Sequence, residues 1–305
     1  MSVDPKSDRR RVAYDASALG IGGRITRIKA KKEFILPWPH SEEVDYQIPG
    51  QAAANVPVNG GLSISVAGPY EFSIQRPHPT KILSIGGAVA RGLGGLGRDD
   101  PHSSQVEAHV WDLNVLDRIK ANYVAVRLRS SYKNDKPLEN PNATPELLPD
   151  YAEIDGLMFD GRVIPVTVNY RPYREHPTFD SFFKALPDMV KGLPARNQFI
   201  AAGERTEEVL RKARAFREKP SYDSVMPCIH VASIVEPINQ DKLPRGVRVG
   251  SRPWSVILDD VGELFLGEVI LGLDSRRITM IRGELGCDFS GSLDCVDTRG
   301  NTRPT

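Results

Sequence analysis

The stretch "GLGGLGRDDPHSSQVEAHV", Gly92 to Val110, decides the fold. Its first six residues spell G-x-G-x-x-G, the pattern of a dinucleotide-binding turn. Such a turn needs a strand before it and a helix directly after it, because the pyrophosphate rests on the helix N-terminus. "KILSI" supplies a strand pattern upstream, and Asp112 stands 20 residues after Gly92, where a ribose-binding acid would be wanted. The helix is what fails. Between Gly97 and the next strand pattern at Val106 lie eight polar residues, "RDDPHSSQ", broken by Pro101. A crossover between parallel strands takes about a dozen residues or more. The glycines therefore read as a loop, Gly86–Gly97, between antiparallel strands, and no cofactor is expected.

The pattern spreads outward from there. Val106, Ala108 and Val110 alternate with Glu107 and His109, and "YVAVRLR" alternates Val124, Val126 and Leu128 with Arg127 and Arg129. "LSISV" sets Leu62, Ile64 and Val66 against serines, and "YEFSI" does the same with Tyr70, Phe72 and Ile74. Period-2 alternation with polar partners is the mark of antiparallel strands buried on one side, so each apolar row is expected to face the core. Asp160-Gly161 within "LMFDGRVIPVTV" predicts a tight hairpin, since both central residues of a type I′ turn take positive φ. Pro165 pushes its second strand to an edge. In "KNDKPLENPNATPELLPD", residues 133–150, a proline every fourth position predicts a long surface loop.

Helical spacing is confined to the middle. "PTFDSFFKALPDMVKGLP" places Phe179, Phe182, Phe183, Leu186, Met189, Val190 and Leu193 on one face, with Pro187 expected to split the helix. "ERTEEVLRKARAFREKP" carries Glu207–Arg211 and Glu208–Lys212 at i,i+4. Strands resume in "CIHVASIV", "WSVILDD", "GELFLGEVIL" and "RRITMIRGEL", the last two joined as a hairpin. Strands do not alternate regularly with helices, which excludes a doubly wound parallel sheet. The expected fold is mainly β: an antiparallel sandwich or open barrel with a small helical insert and an extended N-terminal arm. The divisions are an arm over 1–61, a β region over 62–175, the insert over 176–220, and a second β region over 221–305 completing the same domain.

With 26 per cent charged and 40 per cent hydrophobic residues the chain can bury a core rather than remain disordered. No apolar run approaches the ~18 residues of a membrane span, and no apolar stretch follows the basic start, so a cytoplasmic protein is expected. Export by a dedicated machine would leave no such mark. Net charge is +1, yet residues 1–32 hold nine basic and three acidic residues. Arg24, Arg27, Lys29, Lys31 and Lys32 are the candidate interaction residues of this arm. They suit docking on the acidic body of a neighbouring subunit, a lysine-guarded edge strand, or phosphate tracking on nucleic acid. Few aromatic residues accompany them for base stacking.

The remaining chemistry is sparse. Asp99, Asp100, His102, Glu107 and His109 form a weak candidate for a metal or acid–base site, with Glu107 and His109 at i,i+2 on one strand face. No H-x-H, G-x-S-x-G or phosphate-binding loop is present. Cys228, Cys287 and Cys295 show no C-x-x-C; Cys287 and Cys295 could meet across a hairpin, although reduced thiols suit a cytoplasmic chain better.

Two stretches, "VAYDASALGIGGRITR" and "LGEVILGLDSRRITMIRGELGC", resemble segments of uncharacterised bacterial proteins of similar length, a β-rich family with no activity attached to it. The resemblance implies no site residues. Together these features predict a non-catalytic structural or assembly protein that acts through self-association or docking into a larger complex, with the arm as its clasp. The alternative is an enzyme or a small-ligand or metal binder at a barrel mouth, using the Asp99–His109 segment.

Overall fold

A computed structural model describes residues 12–14, 16–28, 46–57, 60–74, 80–95, 102–132, 145–189, 191, 230–259, 261–272, 275–286 and 289–304. In chain order the strands are β1 (Val12–Tyr14), β2 (Ser17–Ile28), β3 (Tyr46–Asn55), β4 (Gly61–Ala67), β5 (Tyr70–Ile74), β6 (Thr80–Ile85), β7 (Gly87–Gly94), β8 (Ser104–Val115), β9 (Ile119–Ser131) and β10 (Glu146–Asp155). The short pair β11 (Met158–Phe159) and β12 (Arg162–Val163) precedes helices α1 (Arg171–Glu175) and α2 (Phe179–Met189). The remainder is β13 (His230–Ser233), β14 (Val247–Val249), β15 (Ser255–Leu258), β16 (Gly262–Leu271), β17 (Ser275–Gly286) and β18 (Phe289–Pro304).

Every pairing is antiparallel, and the strands form two open sheets packed face to face as a sandwich, not a closed barrel. The first runs β14-β15-β16-β17-β18-β2-β3, with β13 beside β16 and β1 beside β18. The second runs β12-β11-β9-β8-β6-β5, with β10 beside β9, β7 beside β8 and β4 beside β7. The register of β6 and β7 against β8 is continuous, so they act as one long strand bent at Gly86. The pair β4 and β5 lies the same way along its outer edge.

Small residues bring the two sheets together where β2 and β3 cross β7 and β8. Ala18, Ala52 and Ala54 on one sheet and Ala88, Ala90 and Ala108 on the other are all buried where these strands lie close. A Cβ on Gly20 would stand 2.9 Å from the Ala88 methyl, and one on Gly92 would stand 3.0 Å from the Val56 nitrogen. The G-x-G-x-x-G stretch is resolved by this packing. Gly92 and Gly94 are not loop residues but lie on β7, paired with both β4 and β8, and at Gly92 a side chain would press on Asn55 and Val56 of the opposite sheet's edge. Gly97 lies outside the described residues.

The described part of the segment read as an arm is likewise built into the sandwich. β2 lies between β18 and β3, and Ala16, Ala18, Ile21, Ile48, Ala52, Ala54 and Val56 are buried. Strand alternation through Arg27 was legible; the position of that strand inside a sheet was not. Arg24 and Arg27 fall on β2, while Lys29, Lys31 and Lys32 lie outside the described residues.

Two further expectations are corrected. The proline-rich loop ends earlier than its spacing suggests, because Glu146 to Pro149 already pair with β9. Pro149 is tolerated where the register shifts between Pro149 and Tyr151, on a strand whose one ladder partner among the described residues is β9. Helix α2 also runs through Pro187 to Met189. Only its last turn lacks the donor, so the proline does not split it. Thr178 starts this helix by accepting the Ser181 N–H at 3.1 Å, and Phe179, Phe182, Phe183 and Leu186 form the buried face that alternation at 3.6 predicts. The second helical pattern, residues 204–220, lies outside the described residues.

The Asp160-Gly161 hairpin is as expected, with φ of 49° and 75° at the two positions and β12 at the sheet edge. Other left-handed residues form a line. In the first sheet Gly267, Met280, Val296, Gly20 and Ala52 stand side by side on β16, β17, β18, β2 and β3, without any break in register. Gly267, Val296 and Ala52, on every second strand, have positive φ. In the second sheet Gly86, Asp112, Asn122 and Gly156 form the matching row, and Asp112 and Gly156 have positive φ. Along β8 the buried apolar side chains are therefore Val106, Ala108 and Val110 before the row, but Leu113 and Val115 after it. Each strand exchanges its inward and outward positions at this crease.

Candidate functional site

The outer face of the second sheet carries the residues that chemistry would use. Val106, Ala108 and Val110 point into the core, so Glu107 and His109 point outward as the alternation requires. Glu107 is nevertheless only 3 per cent exposed, because cross-strand neighbours cover it. Arg91 on β7 reaches its Oε1 at 2.9 Å, and Arg127 on β9 reaches its Oε2 at 2.7 Å. Both carboxylate oxygens are thus committed to guanidinium groups.

His109 sits between two rings. Its imidazole stacks on Trp111 and on Tyr123, each with centroids 5.9 Å apart, and Nδ1 lies 2.6 Å from the Tyr123 hydroxyl. Burial lowers the His109 pKa, with Arg127 and Arg91 adding to the effect and Glu107, whose carboxylate is 3.9 Å from Nε2, opposing it. Tyr123 and Tyr151 are hydrogen-bonded to each other, Tyr151 donates to Glu153, and burial raises both phenol pKa values. The result is a chain from His109 through Tyr123 and Tyr151 to Glu153, with the Glu107 carboxylate beside the other nitrogen of the imidazole at 3.9 Å.

Only part of the candidate metal site is gathered here. Glu107 and His109 are adjacent; His102 sits half-buried in the turn before β8 and touches neither; Asp99 and Asp100 lie outside the described residues. Among the described residues no three His, Cys, Asp or Glu side chains come together as a metal cage. Cys295 is a buried free thiol that pairs across the sheet with Ile281 and Ile21, and Cys287 lies outside the described residues.

The feature that sequence reasoning missed is next to this cluster. Among the described residues β4 hydrogen-bonds only to β7, and no described strand pairs with its other edge. Its apolar row does not face the core. Leu62, Ile64 and Val66 are 56, 50 and 70 per cent exposed, while Ser63, Ser65 and Ala67 turn inward and are half-buried. Alternation sorts residues onto two faces but does not say which face is covered. Here the covered face carries the small residues Ser63, Ser65 and Ala67, on the side of the strand that lies near β3. The absence of any charge or proline between Gly61 and Ala67 was the available signal, because natural edge strands are normally guarded by one or the other.

No helix among the described residues is long and apolar enough to cross a membrane. A family model described as a domain of unknown function, DUF8256, matches residues 12–272, from the first residue of β1 to the residue after β16. No curated protein and no solved structure matches the chain.

Proposed function

We propose that this chain, which belongs to the DUF8256 family, works by association rather than catalysis, docking through the outer edge of β4. The observation that carries this is the exposure of Leu62, Ile64 and Val66 in a line on a strand whose outer edge no described strand pairs with. Covering the exposed part of each, roughly 100 Å², is worth about 2 kcal/mol at the usual coefficient. Edge N–H and C=O groups add main-chain hydrogen bonds when another strand is laid beside them. We place the clasp on β4 rather than on the basic arm, because β2, which carries Arg24 and Arg27, lies between β18 and β3.

The neighbouring cluster supports the same function. Glu107 held by two arginines and His109 held through Nδ1 by Tyr123 make an ordered sheet face beside the edge, with both Glu107 oxygens already paired. A metal or ligand site on Asp99, Asp100, His102, Glu107 and His109 has less support for that reason. The test is a photo-reactive amino acid placed at Ile64 in the native cell, with exposed Asp241 as control. Covalent adducts specific to position 64 are expected. Adduct formation no greater than at position 241 overturns the proposal.

A further inference from the structure

We infer that the occupant of the β4 edge is a second copy of this chain, paired antiparallel about a two-fold axis through Ile64; this rests on the docking role proposed above. The seven residues of β4, Gly-Leu-Ser-Ile-Ser-Val-Ala, are nearly symmetric about their centre. With Ile64 opposite Ile64 of the second copy, Leu62 faces Val66, Ser63 faces Ser65, and Gly61 faces Ala67. Every apolar residue then meets an apolar residue on the outer face, and every serine meets a serine on the inner face. Moving the axis by one residue in either direction leaves Leu62 or Val66 opposite a glycine and outside the strand, so this register alone uses all of β4.

Charge permits the pairing. No ionisable side chain lies on β4, and the nearest cation on the outer face, Arg91 opposite Ile64 on β7, is neutralised by Glu107 at 2.9 Å. The two copies of Arg91 would be separated by both β4 strands, beyond the reach of strong repulsion in salt. The second sheets of the two copies would join into one continuous sheet, with the β4 strands at its centre, and the contact is isologous, so it closes at two copies.

The area sets the strength. Three half-exposed side chains and a seven-residue strand edge bury roughly 800 Å² over both copies, below the ~1,200 Å² of a standard stable interface. The dimer is accordingly weak, forming in the micromolar range and visible as concentration-dependent mass.

The experiment uses the full chain with Cys228 and Cys287 replaced by serine, the buried Cys295 retained. Facing residues in an antiparallel pair have Cα atoms about 4.5–5.5 Å apart, within disulfide range. Under mild oxidation Ile64→Cys alone should give a species of twice the chain mass. Ser63→Cys and Ser65→Cys should each stay monomeric alone and cross-link when mixed. In light scattering the unmodified chain should rise towards twice its monomer mass with concentration, and Ile64→Lys should abolish the rise while leaving the circular dichroism spectrum unchanged. An Ile64→Cys protein that remains monomeric, or a Ser63→Cys protein that dimerises as fast, overturns the self-pairing. Position-64 photo-adducts of another mass, with a monomer at all concentrations, overturn it while the docking role stands; an absence of adducts removes both.

Discussion

Replacing Arg276 by methionine should destabilise the fold by about 3–4 kcal/mol. This side chain on β17 is 2 per cent exposed and has no carboxylate beside it among the described residues. Its guanidinium donates to the carbonyl oxygens of Leu147, His176 and Pro177, the last at 2.9 Å, and lies over the Tyr173 and Phe182 rings at 5.6 and 5.9 Å. Burial depresses its pKa to about 10, which still leaves it charged at neutral pH. At 1.36 kcal/mol per unit, methionine recovers roughly 3 kcal/mol of that desolvation. Against this, three hydrogen bonds from a charged donor contribute about 2 kcal/mol each, and the ring contacts add about 1. Pro177 retains the Leu147 N–H as a partner, whereas the carbonyl of His176 would be left without the bond that Arg276 supplies. Urea denaturation reads the difference: the midpoint should fall with the slope m unchanged. A midpoint equal to or above that of the parent would refute the reasoning, as replacement of buried ionic groups by apolar ones sometimes does.

Other consequences follow from local geometry. Gly267→Ala should cost about 2–4 kcal/mol, because φ is +60° there and the new methyl would stand 2.7 Å from Val235 Cγ2; thermal denaturation measures it. His109 has a folded pKa below its unfolded value of 6.5, so the unfolded chain takes up the proton first and stability falls as pH drops below about 6.5 towards the folded pKa. His109→Gln should flatten that part of the curve when urea midpoints are compared at pH 7.5 and 5.5, and an identical slope in both proteins would contradict the assignment. The Cys295 thiol, whose pKa is pushed up by complete burial, should resist iodoacetamide in the native protein and react in urea, as mass spectrometry would reveal.

The sequence made the strands legible where both the alternation and the turn chemistry were local. β8 and β9 could be placed from Val106 to Leu128, and the Asp160-Gly161 turn from two residues. The turn between β8 and β9 was not legible. Leu116 and Asp117 both take positive φ without a glycine, and the Asn114 side chain donating to Asp117 at 2.7 Å is a contact no pattern announces. The site was half legible: Glu107 and His109 were placed on one face, but their partners Arg91, Tyr123 and Tyr151 come from other strands. Facing was the hardest quantity. Leu62, Ile64 and Val66 have the periodicity of a core strand, and only the small residues packed beneath β4 decide that they point out. The same holds for β2 and β3, whose alanines and glycines look too slight for a core until alanines of the opposite sheet are set against them.

The crease from Gly267 to Ala52 has a consequence for genetics. In a saturation scan scored for tolerance to charge, a strand crossing it would show sensitive sites at even numbers on one side and odd numbers on the other. β8 would be intolerant at 106, 108 and 110, then at 113 and 115. Plotted strand by strand, the boundary between the two phases would draw a straight line across each sheet, at right angles to the chain. A scan of this kind could therefore recover the strand register without coordinates, from where the phase slips.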